Sequence, residues 1–226
     1  MSLSREKEKL LQRLKSSRLR RKEGLFLVEG IRSAGEFLGT GGPPWAGDTL
    51  GTGEFLGAGE SLGVAPSSDI RFALVSPRLE SLQGGKYILK LLKESGIPCT
   101  LLDDFDLSRL SETESPQGIL LVVEEPRGQS ADEQPLAGIS RPRVLLLDGI
   151  QDPGNVGTLI RGARAFGLDG VVALEGTADP WGAKAVRASA GALAHIPIFR
   201  MAVQEALAWA KSREVPILVA EAGGKD

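Results

Sequence analysis

Apolar positions along the chain recur with two spacings. Leu10, Leu11 and Leu14 fall at helical spacing inside a charged segment, so the first element is a short amphipathic basic helix ending near Ser16 or Ser17. "LFLVEG" (25–30) follows as a strand and runs into a helix that begins near Ile31. After residue 68 the alternation of short apolar runs with helical spacings predicts strands at 71–76, 97–103 and 117–125, with helices at 87–94 and 107–111 between them. A second series starts at Val144: strand 144–149, helix 156–166, strand 171–175, a polar loop "GTADPWG", the segment "AKAVRASAGALAHIPIFR", helix 203–212 and strand "VPILVAEA" (215–222). Strands separated by helices at these distances make a parallel sheet through right-handed crossovers. Val144–Leu147, apolar without a break, read as a central strand covered on both faces.

Two stretches interrupt the series. Residues 39–68 are rich in Gly and Pro and repeat GEFLG at 35–39 and 53–57, which predicts a flexible insertion. Their "GTGEFLG" has one residue too many for a dinucleotide fingerprint and no strand before it. Residues 126–143 are polar with three prolines and read as a linker. The chain therefore divides into residues 1–125, an α/β unit with the insertion, and residues 144–226, a parallel-sheet α/β unit.

Composition narrows the class. With 226 residues, 42% apolar and 25% charged, the chain is long enough for one or two cores, and no apolar run approaches a membrane span. The charged N-terminus lacks a secretory pattern, and Cys99 is the only cysteine, so a reducing cytoplasm is expected. One histidine and one cysteine make metal chemistry an unpromising reading. The net charge of −2 conceals an asymmetry: residues 1–22 hold nine basic and two acidic side chains, +7, leaving −9 for the remainder. Such a block is either a solvated helical face or an arm that meets phosphates, with Arg18, Arg20, Arg21 and Lys22 as its densest part.

Chemistry concentrates in "VLLLDGIQDPGNVGTLIRGARAFG" (144–167). Ligands of parallel sheets bind at the carboxyl ends of strands, where "DGIQDPGN" sits. Asn155 is placed to cap the next helix, whose buried stripe is Val156, Leu159, Ile160, Ala163 and Phe166, with Gly157 allowing close approach. Arg161 and Arg164 stand outside the stripe. Taken singly, these residues are a turn, a cap and solvated arginines.

Together, D-x-x-x-D-P-x-N-x-G-x-x-x-R-x-A-x-A-F-G, here Asp148, Asp152, Pro153, Asn155, Gly157, Arg161, Ala163, Ala165, Phe166 and Gly167, resembles the first signature motif of the SpoU (TrmH-like) family of RNA 2′-O-ribose methyltransferases. "ADPWGAKAVRASAGALAHIPI" (178–198) resembles the family's next segment. "RRKEGLFLVEGIR" (20–32) and "LSETESPQGILLVV" (110–123) are similar to the substrate-binding domain of members that act on ribosomal RNA. The resemblance implies a trefoil-knotted C-terminal domain, a homodimer, S-adenosylmethionine as cofactor and ribosomal RNA as partner. It places Asn155 and Arg161 in the active site. A guanidinium keeps its proton, so Arg161 would grip phosphate and stabilise a developing alkoxide, while Asn155 would hold the ribose. Arg164 and Arg187 are further candidate RNA contacts, with Ser189 beside the latter.

The family's second and third motifs would follow "VPILVAEAGGKD", so the chain is expected to be truncated relative to the family pattern, its pocket either incomplete or lost. Ala220, Glu221, Ala222 and Gly223 are the candidate cofactor contacts that remain. A non-catalytic RNA-binding protein is the competing reading, and a nucleotide-binding domain of another kind is disfavoured by the lack of a phosphate loop. His195, among small apolar residues, reads as structural, and Cys99, Trp181 and Trp209 as packing residues.

Overall fold

A computed structural model describes residues 3–39, 70–126, 136 and 138–220. The Gly-rich insertion, apart from Gly39, and most of the expected linker lie outside the described residues, as does Trp45.

The first unit is built on four strands, β1 (Leu25–Glu29), β2 (Ile70–Val75), β3 (Cys99–Leu101) and β4 (Ile119–Glu124), in the order β1-β4-β2-β3. The sheet is mixed: β4 runs antiparallel to both β1 and β2, and only β2 and β3 are parallel. Both faces are covered, and strand alternation divides the side chains between them. Leu25, Leu27, Leu74, Leu120 and Val122 meet Leu11 and Leu14 of α1 (Arg5–Leu14) and Leu107 and Leu110 of α6 (Asp104–Leu110). Phe26, Val28, Ala73, Ile119 and Leu121 face α3 (Ile31–Phe37) and α5 (Gly85–Glu94). A register shift between Ile70 and Phe72 lets Ile70 and Ala73 join one face and Phe72 and Leu74 the other. Two short helices, α2 (Ser17–Glu23) and α4 (Pro77–Ser81), leave no apolar period in the sequence, since each buries only one side chain, Arg20 and Leu79 respectively.

The second unit has three parallel strands, β5 (Val144–Leu147), β6 (Gly170–Leu174) and β7 (Ile198–Met201), in that order. Between them run α7 (Pro153–Ala165), then α8 (Ala183–Ala188) with a short 3₁₀ turn (Ala192–Ala194). Leu147, Val171 and Ile198 face α7 and α8, while Val172, Leu174, Phe199 and Met201 face α9 (Val203–Ser212) through Ala206. The crossover is made where α7 and α8 touch: a Cβ on Gly157 would lie 2.2 Å from the carbonyl oxygen of Ala185, so only glycine fits.

Four expectations change. β5 is an edge strand with residues 144–146 half-buried, because no strand among the described residues pairs with its outer side. Residues 215–220 form no strand and are mostly exposed, Leu218 by 93%: β propensity makes no strand where the described residues offer no partner. Phe166 is 82% exposed and Leu159 lies at the surface, so the apolar stripe of α7 is narrower than its spacing suggested. Cys99 is exposed on β3, the outermost strand of its sheet.

One hydrophobic cluster runs through both units, from Phe26 and Phe37 to Trp181, Val186, Leu193 and Ile198. Polar ties accompany it. Arg20 donates to Asp179 Oδ2 through Nη2 (2.6 Å) and Nε (3.0 Å) and to the carbonyl of Leu14 (2.7 Å). Arg200 donates to Asp179 Oδ1 (2.8 Å) and to Glu125, and its guanidinium stacks on the buried Trp181 ring at 4.1 Å. Burial opposes ionisation of Asp179, but hydrogen bonds and charge from Arg20 and Arg200 outweigh it and hold its pKa below the ordinary carboxylate value. Glu125 goes the other way: burial pushes it up, against Arg200. His195 Nε2 and Glu36 Oε2, 2.7 Å apart, make a third tie, which gives His195 the structural setting its surroundings suggested.

Candidate active site

The turn after β5 is held from two sides. Thr177 donates its hydroxyl to the carbonyl of Leu147 (2.7 Å), and the amide of Ala178 donates to the carbonyl of Ile150 (2.8 Å), so the loop after β6 fixes residues 147–150. Asp152, not Asn155, caps α7: its carboxylate accepts from the amide of Asn155 at 3.0 Å, with Pro153 at the first helical position. Lys184 of α8 donates to the other oxygen of Asp152 at 2.6 Å. The Lys184 hydrogen bond, followed by the amide of Asn155, lowers the Asp152 pKa. Since Asp152 takes the cap, the Asn155 side chain is left exposed for other use.

Arg161 is likewise exposed on α7. A residue six positions along an α-helix lies about 9 Å further up the axis and roughly 120° around it. Asn155 and Arg161 thus stand on adjacent flanks of α7, and a ligand touching both must wrap part of the helix. Arg164 points elsewhere and donates to the carbonyl of His195 (3.3 Å), and burial lowers its pKa against the opposing charge of Glu36. Arg187 reaches out of the second unit to Glu29 of β1 at 3.4 Å, and Ser189, fully buried, donates to the carbonyl of Val186.

Of the basic arm, Arg18, Arg21 and Lys22 are exposed, whereas Arg20 is 7% exposed and occupied by Asp179 and Leu14. Arg21 stands at the rim of an open cleft of about 410 Å³ at the carboxyl ends of β6 and β7, beside Gly176 and Arg200. Ala220 is exposed and in no strand, so the described residues form no cradle for S-adenosylmethionine around it; Glu221, Ala222 and Gly223 lie outside the described residues. Lys184, Asp179 and Arg200 escaped the reading of the sequence. Their partners are between 21 and 159 positions away, and only the presence of Asp179 and Lys184 in the 178–198 segment hinted at a role, Arg200 lying just beyond it.

Comparison with known proteins shows what the two units resemble. Residues 142–226 match the SpoU rRNA methylase family, and residues 74–129 match the RNA 2′-O ribose methyltransferase substrate-binding family. A 23S rRNA (guanosine(2553)-2′-O)-methyltransferase of Bacillus subtilis is 45% identical over 107 residues, 47% of this chain and 40% of that protein. The solved structure of a TrmH-family protein from Porphyromonas gingivalis superposes with a TM-score of 0.68 at 26% identity, covering 96% of this chain and 70% of the other. The SpoU methyltransferase AviRb from Streptomyces viridochromogenes, solved with AdoMet, shares the fold with a TM-score of 0.68 at 23% identity, over 94% and 69% of the two chains. Against curated relatives such as the Bacillus protein, the chain spans about two fifths of their length. With a methylase segment and a substrate-binding segment matched one after the other, residues 142–226 belong to the SpoU rRNA methylase family and residues 74–129 to the RNA 2′-O ribose methyltransferase substrate-binding family.

Proposed function

We propose that the chain serves S-adenosylmethionine-dependent 2′-O-methylation of ribosomal RNA ribose, in the cytoplasm and as a homodimer. The observation that supports this most directly is the geometry of α7. A cap and an ion pair supplied by Asp152 and Lys184, together with the Gly157 contact with α8, fix a helix whose exposed Asn155 and Arg161 side chains have no hydrogen-bond partner among the described residues. In this reading residues 1–125 hold the RNA and residues 144–226 carry the reacting groups. Arg161 grips the phosphate beside the target ribose with its planar fork of donors and stabilises negative charge on the 2′ oxygen. Asn155 accepts and donates at once and orients the ribose, so that much of the acceleration comes from positioning. S-adenosylmethionine supplies the electrophilic methyl group. No residue near Ala220 is assigned a step, because the described residues do not enclose that site. Arg18, Arg21 and Lys22 supply phosphate contacts.

The unpaired state of residues 215–220 favours a second reading, RNA binding without catalysis. Titration calorimetry with S-adenosylmethionine and transfer of radiolabelled methyl to ribosomal RNA separate the two. Incorporation that falls about 10²-fold in Arg161→Lys, with RNA binding retained, supports the enzyme. RNA binding with neither cofactor affinity nor incorporation supports the second reading.

A further inference from the structure

A cleft of about 290 Å³ opens between the two units, lined by no residue of α7, and carries chemistry that the site above does not use. Its size lies at the lower end of the ~300–1,000 Å³ usual for ligand pockets. Arg32 of α3 and Arg187 of α8 face it from opposite units, and the 111–117 loop closes the third side with Thr113, Ser115 and Gln117. Arg32 is exposed and makes no ion pair among the described residues. Glu29, buried at the floor, accepts from the amide of Glu112 at 3.0 Å and holds Arg187 through one nitrogen at 3.4 Å, a long single contact that leaves most of that guanidinium's donors available. The lining is therefore cationic by one charge. Gln117 Oε1 accepts from the amide of Ile31 at 2.8 Å, which fixes the carboxamide and leaves its amino group as a donor. Ser115 has no hydrogen-bond partner among the described residues.

We infer that this cleft is a subsite for one nucleotide of the RNA strand, resting on the reading of the chain as an RNA-modifying protein. The guanidinium pair takes the phosphate, as planar forks of donors do. Ser115 and Gln117 meet the ribose or the polar edge of the base. No aromatic side chain among the described residues lines the cleft, so those residues hold the nucleotide by polar contacts and not by stacking. Both units contribute, and their relative placement, set by Glu29, Arg187 and the shared core, becomes part of RNA recognition.

The test uses the full chain and short ribosomal RNA oligonucleotides, with affinity followed against salt. Arg32→Gln should weaken binding about tenfold and reduce the salt slope by about one. Arg109→Gln, an exposed arginine on α6 that does not line the cleft, should change neither. Ser115→Ala should weaken binding a few-fold with the slope intact. Zero-length crosslinking from 4-thiouridine should label peptides spanning 111–117. Equal effects of Arg32→Gln and Arg109→Gln, or crosslinks only on residues 18–22 and α7, overturn the subsite. Protection of the cleft by inorganic phosphate alone, with nothing added by the oligonucleotide, reduces it to an anion site and also overturns it. If Arg32→Gln behaves as expected but no methyl is transferred, the subsite stands and the enzymatic reading fails. Normal methylation with unchanged Arg32→Gln binding leaves the enzymatic reading standing and removes the subsite.

Discussion

Replacing Arg20 by alanine isolates one buried ion pair that joins the two units. Arg20 and Asp179 side chains are each only 8% exposed, so solvent screens their attraction little. Removing one member of a buried pair costs about 3–5 kcal/mol, since the other is left desolvated. Here Arg200 still donates to Asp179 Oδ1 at 2.8 Å, which argues for the lower end, about 3 kcal/mol, with the carbonyl of Leu14 also losing its donor. For a chain of this size each kcal/mol moves the melting temperature by about 2–4 °C, so Arg20→Ala should melt roughly 6–12 °C lower. Circular dichroism melts at pH 7 measure this, and a cycle with Asp179→Asn measures the coupling. The pH dependence has a definite sign. Asp179 has a depressed pKa in the folded chain, so its contribution is present above the unfolded carboxylate value and is lost as pH falls through the folded value. The variant should therefore lose less stability on acidification than the unsubstituted chain. An Arg20→Ala melting point indistinguishable from the unsubstituted chain, or additive effects in the cycle, would refute the assignment of Arg20 to the interior and return it to the phosphate-binding arm.

Gly157→Ala forces a methyl against the Ala185 carbonyl and should destabilise the chain by about 1–3 kcal/mol, read as a lower urea midpoint. In Lys184→Ala the Asp152 carboxyl should titrate at higher pH than in the unsubstituted chain when followed by NMR, because its largest stabilising hydrogen bond is gone. Replacing Arg18, Arg21 and Lys22 together by alanine should flatten the salt dependence of RNA binding, whereas an unchanged slope would remove the arm from the interface.

Much of the secondary structure was legible because it is local. The apolar spacing of Leu10, Leu11 and Leu14, the continuous apolar run of β6 and the period of 203–212 depend only on neighbours in the chain, and elements stand at each. The turn that follows Val144–Leu147 and the arginine on the helix after it were also visible, because the motif of residues 148–167 sets its residue types at fixed offsets. What the sequence left open is what distant residues decide. Asp152 takes the cap from Asn155 while Lys184, 32 positions on, holds its other oxygen. Arg20 looked like one more cation of a basic arm, and its burial depends on an aspartate 159 residues away. Val144–Leu147 looked central, and 215–220 looked like part of a strand, because apolar β-rich composition records a capacity to pair and not the presence of a neighbour, which the described residues do not supply. Local sequence sets which conformations a segment can adopt at low cost. Burial, pairing and the charge state of a side chain are properties of what the fold brings beside it, and these the tertiary structure alone decided.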